Sequence, residues 1–202
     1  MNSFANLISF IGHPLLMPLY TVQLLFTCNP YMKFMVNDSL QWFVLIIVFV
    51  FTFLLPLINA FILLKFKLID SLYMTSAKER LIPFFFTLLF YLLAFKQLKT
   101  LPLPESFYLV LGGAIAVVFI ALIITFFWKI SIHALGVGGL FGAFLAFSQR
   151  YQVDQLSLIV GILFFAGLIG FSRLHLKAHQ PAQVYAGFLI GAFIEWGIVF
   201  IF

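Results

Sequence analysis

Six polar side chains, Ser172, Arg173, His175, Lys177, His179 and Gln183, fall within twelve residues between two apolar runs, in a chain of which only 8% is charged. Arg173 offers a planar fork for phosphate oxygens, and His179 offers a nucleophilic imidazole nitrogen. Gln183 shares a face with His179 if the segment is helical, and Pro181 between them either starts or bends that helix. His175 and His179 also have the i, i+4 spacing of metal ligands. No Cys or carboxylate cluster accompanies them on that side, so the metal reading is the weaker one and neither a metal nor a cofactor is expected.

Two smaller clusters carry compatible chemistry. Lys129-Ile130-Ser131-Ile132-His133 follows an apolar run, and its imidazole could donate a proton to a leaving oxygen. Lys78-Glu79-Arg80 stands at the mouth of another apolar run, where two cations and the free N–H groups of a helix start suit a phosphate. Each has a blander reading: a charged flank that snorkels to the membrane surface, or an interfacial histidine with a structural role.

The elements that hold these clusters are dictated by composition. Of 202 residues, 64% are hydrophobic and 19% aromatic, with 29 Phe, too little polar surface to coat a soluble domain. The fold class is all-α: a polytopic helical membrane protein, one domain over residues 1–202, with six or seven transmembrane helices in one bundle. Spans are expected near Leu7–Thr27, Leu40–Leu64, Leu81–Phe95, Phe107–Trp128, Ala134–Ser148, Leu156–Phe171 and Ala182–Phe202. The fifth and sixth are short, which keeps a six-span arrangement with one re-entrant segment open. Gly136, Gly138, Gly139 and Gly142 in the fifth point to close helix packing. Asn37-Asp38-Ser39 reads as a helix cap. The run from Leu7 has no basic residue before it, and Pro14 and Pro18 interrupt it, so it reads as a retained first span. His13 either lines a site or caps a kink there, the latter being preferred. Glu195 is the one acid inside an expected span. Pairing with a basic or polar group across the bundle is its expected role, because twelve helical residues, about 18 Å, separate it from Gln183.

If seven spans alternate, the three polar clusters and the N-terminus emerge on one side of the membrane. That side carries Lys65, Lys67, Lys78, Arg80, Lys129, Arg173 and Lys177, against Lys33, Lys96, Lys99 and Arg150 on the other. Taken literally this bias makes the cluster side cytoplasmic. If Lys78, Arg80 and Arg173 bind substrate, the two sides are equal. The net charge of +5 is scattered between apolar runs, so anionic lipid headgroups rather than nucleic acid are the expected counterions. The single Cys28 cannot form an internal disulfide.

The order of a basic cluster, Ser131-x-His133, and Ser172-Arg173-x5-His179-x3-Gln183 resembles the signatures of the type-2 phosphatidic acid phosphatase superfamily, membrane lipid-phosphate phosphatases related to vanadium haloperoxidases. The resemblance covers roughly residues 78–191. It departs from the family at Gln183, where the family has Asp; at Ile130 and Ile132, which replace Pro and Gly; and in the first cluster, where Lys78 and Arg80 are separated by one residue and Pro83 follows three later. Carried over, the resemblance implies that Lys78, Arg80 and Arg173 hold a phosphate with help from Ser131. His179 attacks phosphorus, His133 protonates the leaving group, and no metal is needed. The family's Asp would orient the imidazole and stabilise its cation. Gln183 can orient the ring only through its amide oxygen, so a slow enzyme, or a non-catalytic lipid-phosphate binder or transporter, is the alternative. The implied substrates are polyprenyl diphosphates, phosphatidic acid or phosphatidylglycerol phosphate. The implied location is the bacterial cytoplasmic membrane, with an extracytoplasmic site by family analogy.

Overall fold

The computed structural model describes residues 2–28, 30–72, 74 and 76–202, with Pro30 and Tyr31 described by backbone alone. Seven helices among them are long and apolar enough to cross a membrane. No described residue lies in a strand. The first span is α1 (Asn2–Ile11), a 3-10 turn over Pro14–Leu16, and α2 (Met17–Cys28); a short α3 (Pro30–Met35) follows. The second is α4 (Asp38–Val48) continued through a π-helical turn into α5 (Leu55–Lys65). The remaining five are α6 (Leu81–Leu98), entered through a 3-10 turn over Lys78–Arg80, then α7 (Glu105–Thr125), α8 (Ile132–Tyr151), α9 (Leu156–His175) and α10 (Pro181–Ile201). Large apolar side chains such as Phe10, Trp42, Phe164 and Phe193 cover the exterior, as a bilayer-embedded surface requires. The molecule is an integral membrane helical bundle.

The interruptions have local causes. Pro14 has no N–H to continue α1, and His13 caps the new turn through Nδ1, which accepts from Leu15 N at 3.4 Å. In the second span Pro56 removes a helical donor, and the turn just before it widens so that Leu55 N–H reaches Val50 O, the signature of a π-bulge. Asn37 caps α4, its Oδ1 accepting from Leu40 N at 2.9 Å.

The fifth and sixth spans are each 20 residues long, full crossings with no re-entrant segment. Both were expected to be shorter because the hydropathy stops before the helix does. The polar ends stay helical because their side chains find partners on other elements: Arg150 donates to Val199 O at 2.7 Å, and Ser172 to Ala5 O at 2.8 Å.

The centre of the bundle is the parallel pair α8 and α10. A methyl at Gly138 or Gly142 would collide with the carbonyls of Phe188 and Ala192, and one at Gly187 or Gly191 with those of Ser131 and Leu135. Backbones therefore touch along the whole seam, the close approach that small residues permit in membranes. Of the four glycines singled out in α8, Gly138 and Gly142 serve this contact, while Gly136 faces Pro14 and Met17 of the first span.

Candidate functional site

On the side of α8 away from α10 the bundle is hollow. A cavity of about 910 Å³ runs among the helices and takes lining residues from all seven spans. His13, Arg80, His133, Arg173 and His179 line it together with long apolar walls from Val110, Val117, Val118 and Leu140. Arg80 and Tyr91, both lining it, are eleven residues apart along one helical rod, so the cavity is about 16 Å deep. Its mouth is cationic and its interior is oily.

Each polar side chain is fixed by its own element. Arg80 ends the 3-10 turn that leads into α6 and is only 5% exposed. Its Nε donates to Met74 O at 3.1 Å and its Nη1 to Ile130 O at 3.2 Å, which locks the guanidinium between two connections on the same side. Arg173, in the last turn of α9, donates from Nη1 to Ser9 Oγ at 3.2 Å. Ser9 in turn meets Ser172 Oγ at 2.5 Å, and Ser172 donates to Ala5 O. Because the Ser172 proton goes to Ala5, Ser9 must donate to Ser172 and so presents a lone pair to Arg173. The chain of donors runs one way, and the buried Arg173 Nε has no partner among the described residues.

The turn after α9 places His179. Lys177 adopts φ 51°, Lys177 N–H donates to Leu174 O at 3.0 Å, and Ala178 N–H donates to Arg173 O at 3.1 Å, the paired bonds of a Schellman motif. The chain reverses at once, Pro181 starts α10, and Gln180 and Gln183 form a reciprocal capping box. Gln183 Oε1 accepts from Gln180 N–H at 3.1 Å and sits 2.9 Å from His179 Nδ1. An oxygen on both contacts requires Nδ1 to carry the proton, which leaves Nε2 with a free lone pair. Burial pushes His179 down to about 4; the Gln183 contact opposes this, and the charges of Arg80, Arg173 and Lys129 add to it. The ring is therefore neutral at pH 7. Lys129, beside the mouth, is held below its usual range by burial first and then by Arg80 and Arg173, with Glu79 opposing.

His133 is the second residue of α8, and its ring meets that of His13 edge to face at 5.7 Å. Its Nδ1 is buried without a partner among the described residues.

The structure thus brings together Arg80, His133, Arg173 and His179, with Gln183 directly behind His179. It separates two other residues expected at the site. Lys78 is exposed and does not line the cavity, because the tight turn that aims Arg80 inward points its neighbour two residues earlier to the surface. Ser131 is fully buried and caps α8, its Oγ accepting from Ala134 N at 3.5 Å, while its own N–H donates to Gln183 O at 3.2 Å. It ties the two central helices together instead of reaching the cavity. His175 lies outside the cavity, stacked on Phe171 and bonded to Asn2 Oδ1 at 3.1 Å through Nε2.

Four further residues line the cavity: Asn6, Ser9 and Glu195, which were not expected there, and His13, for which capping the kink was the preferred expectation. His13 both caps its kink and lines the cavity, and Asn6 and Ser9 join it from the first span. Glu195 also lines the cavity, and its buried Oε1 has no partner among the described residues, contrary to the pairing expected across the bundle.

Fold and site together define an integral membrane helical protein whose interior is a cationic-headed, apolar-walled chamber. No family model matches the chain, and neither does any curated protein or solved structure.

Proposed function

We propose that this protein is a membrane lipid phosphatase, hydrolysing a phosphate or diphosphate from a lipid whose tail stays in the apolar part of the cavity. The observation that carries this reading is the convergence of Arg80, Arg173, His133 and His179 at the head of one deep apolar chamber. Two guanidinium groups converging at the head of a cavity stabilise the charge on a transferring phosphoryl group. His179 Nε2 attacks phosphorus, forming an N–P bond as the bond to the lipid oxygen breaks. The departing oxygen takes a proton from His133 and leaves as the lipid alcohol, or as the lipid monophosphate where the substrate is a diphosphate. Water then attacks the phosphohistidine as His133 takes back a proton from that water, and the N–P bond breaks, releasing inorganic phosphate and restoring both histidines. A polyprenyl diphosphate and a phospholipid phosphate both have the required head and tail, and the family resemblance supports a bacterial cytoplasmic membrane with the site facing outward.

The test is phosphate release from lipid phosphates by purified protein in detergent. His179→Ala and Arg173→Ala should abolish release while leaving the thermal midpoint within a few degrees of wild type. Equal release by His179→Ala would remove that residue from the chemistry.

One observation favours a second reading, a lipid-phosphate binder without turnover. Gln183 gives His179 orientation but no negative charge to stabilise an imidazolium. Retained binding that depends on Arg173, with no release from any lipid phosphate, would establish that reading instead.

A further inference from the structure

We propose that Glu195 forms a second polar subsite inside the cavity, one that recognises a neutral hydrogen-bonding group, a hydroxyl or ester carbonyl, in the first part of the lipid tail. The inference rests on the lipid-phosphate reading of the cavity's cationic end and goes further, because it separates tails that carry such a group from purely hydrocarbon ones.

Glu195 is 3% exposed, lines the cavity and has a buried Oε1 without a partner among the described residues. Its carboxyl has a built recess: a methyl at Gly113 would come within 2.5 Å of Oε2, and one at Gly139 within 3.9 Å. The space two side chains would fill is occupied by a polar head. Gly139 lies six residues beyond His133 on α8, so the carboxyl sits about 9 Å deeper than the phosphate end. Val110, Leu111, Ala114, Leu140 and Tyr91 share the cavity lining with it. Burying a carboxyl among such groups without a partner is costly, and intramembrane acids that face a cavity usually serve a ligand. A prenyl chain would lie against Oε1 and leave it unsatisfied. A hydroxyl a few bonds from the phosphate would satisfy it by donating, and an ester carbonyl there by accepting from the carboxyl when it carries its proton; a site built to bond such a group rejects an analogue without one.

Three substrates separate the possibilities: a diacylglycerol phosphate, a lysophosphatidic acid with one ester and one hydroxyl, and farnesyl phosphate, whose tail is hydrocarbon. Wild-type kcat/KM should favour the first two, and Glu195→Leu should cut that preference about tenfold while leaving farnesyl phosphate unchanged or improved. Glu195→Gln, which keeps hydrogen-bonding atoms in place, should retain the preference. Gly113→Ala, which crowds the carboxyl out of its recess, should lose it. Comparing the two glycerol lipids shows whether an ester or a hydroxyl is bound. Without ligand, Glu195→Leu should raise the thermal midpoint, as expected of a binding group held at a cost to stability and not of a structural one. Equal losses on all three substrates, or an unchanged preference in Glu195→Leu, would overturn the subsite. Binding of the phosphonate analogues of the diacyl and farnesyl lipids is measured in parallel. If nothing is turned over but Glu195→Leu selectively weakens the diacyl phosphonate, the hydrolase reading fails and the subsite stands. If every variant binds both phosphonates equally, the subsite fails.

Discussion

The two sides of α8 could hardly differ more. Toward α10 the helix places Gly138 and Gly142 where its backbone lies against the neighbouring backbone, with no room for a methyl at either. On the opposite side the same helix presents His133, Gly136 and Leu140 to an open chamber. Helices in a bilayer gain little from burying apolar surface against one another, so association depends on close packing. The seam supplies that closeness, and the hollow is affordable because the seam does not yield. It also fixes the register of the imidazoles: His133 rides on one helix of the pair, while Gln183, which orients His179, stands in the first turn of the other.

If the seam serves rigidity and the hollow serves chemistry, substitutions should divide accordingly. The largest effect is expected at the mouth. Arg80→Ala should reduce phosphate release by a factor of roughly a thousand or more, the scale of losing a preorganised charge partner, with the melting transition still cooperative. Next comes the seam: Gly142→Val should destabilise by about 3 kcal/mol or more, since no flexible side chain can move aside for it. Loss of folded protein in membranes would show this, and a variant of normal stability would mean the two helices can separate after all.

A smaller effect sharpens the division at the point where seam and chamber meet. On the proposed mechanism, with His179 at about 4, protonation of the nucleophile should impose an acid limb on kcat/KM only as pH falls through that value, so His179 should add no loss of rate between neutrality and about pH 5. Gln183→Glu keeps the shape but adds negative charge beside Nδ1, which favours the imidazolium and should move the acid limb to higher pH. A limb that stays put would mean residue 183 does not touch the titrating group. The smallest effect belongs to Lys177→Gly. Lys177 holds a left-handed conformation that glycine adopts without a Cβ penalty, so the change should stabilise by about 0.5–1 kcal/mol with activity intact.

The spans were readable in the sequence because a bilayer demands long apolar runs, and the three polar clusters were readable because polar residues are rare between them. What sequence spacing could not carry was partnership between distant segments. Ser9 and Arg173 are 164 positions apart, and the donor chain that joins them exists only because α1 packs on α9. His13 gave an equivocal signal for the same reason: its cap is local, while its approach to His133 is not. Lys78 and Arg80 look alike in sequence, and only the tight turn separates them. Ser131 had a local explanation available, a serine just ahead of an apolar helix, and the cap is the role its hydroxyl has in the structure. The expectation that Glu195 is too far from Gln183 to act on His179 agrees with its depth, whereas its Oε1 has no partner across the bundle among the described residues.

The oxygen that Gln183 shares between Gln180 and His179 ties the reactivity of the imidazole to a single helical turn. On the proposed mechanism, fraying of that turn on warming would release the amide, free the ring to rotate and cost the nucleophile its orientation while all seven crossings stay embedded. Heat should therefore silence the protein well before it unfolds it, and cooling should restore it without any refolding of the bundle.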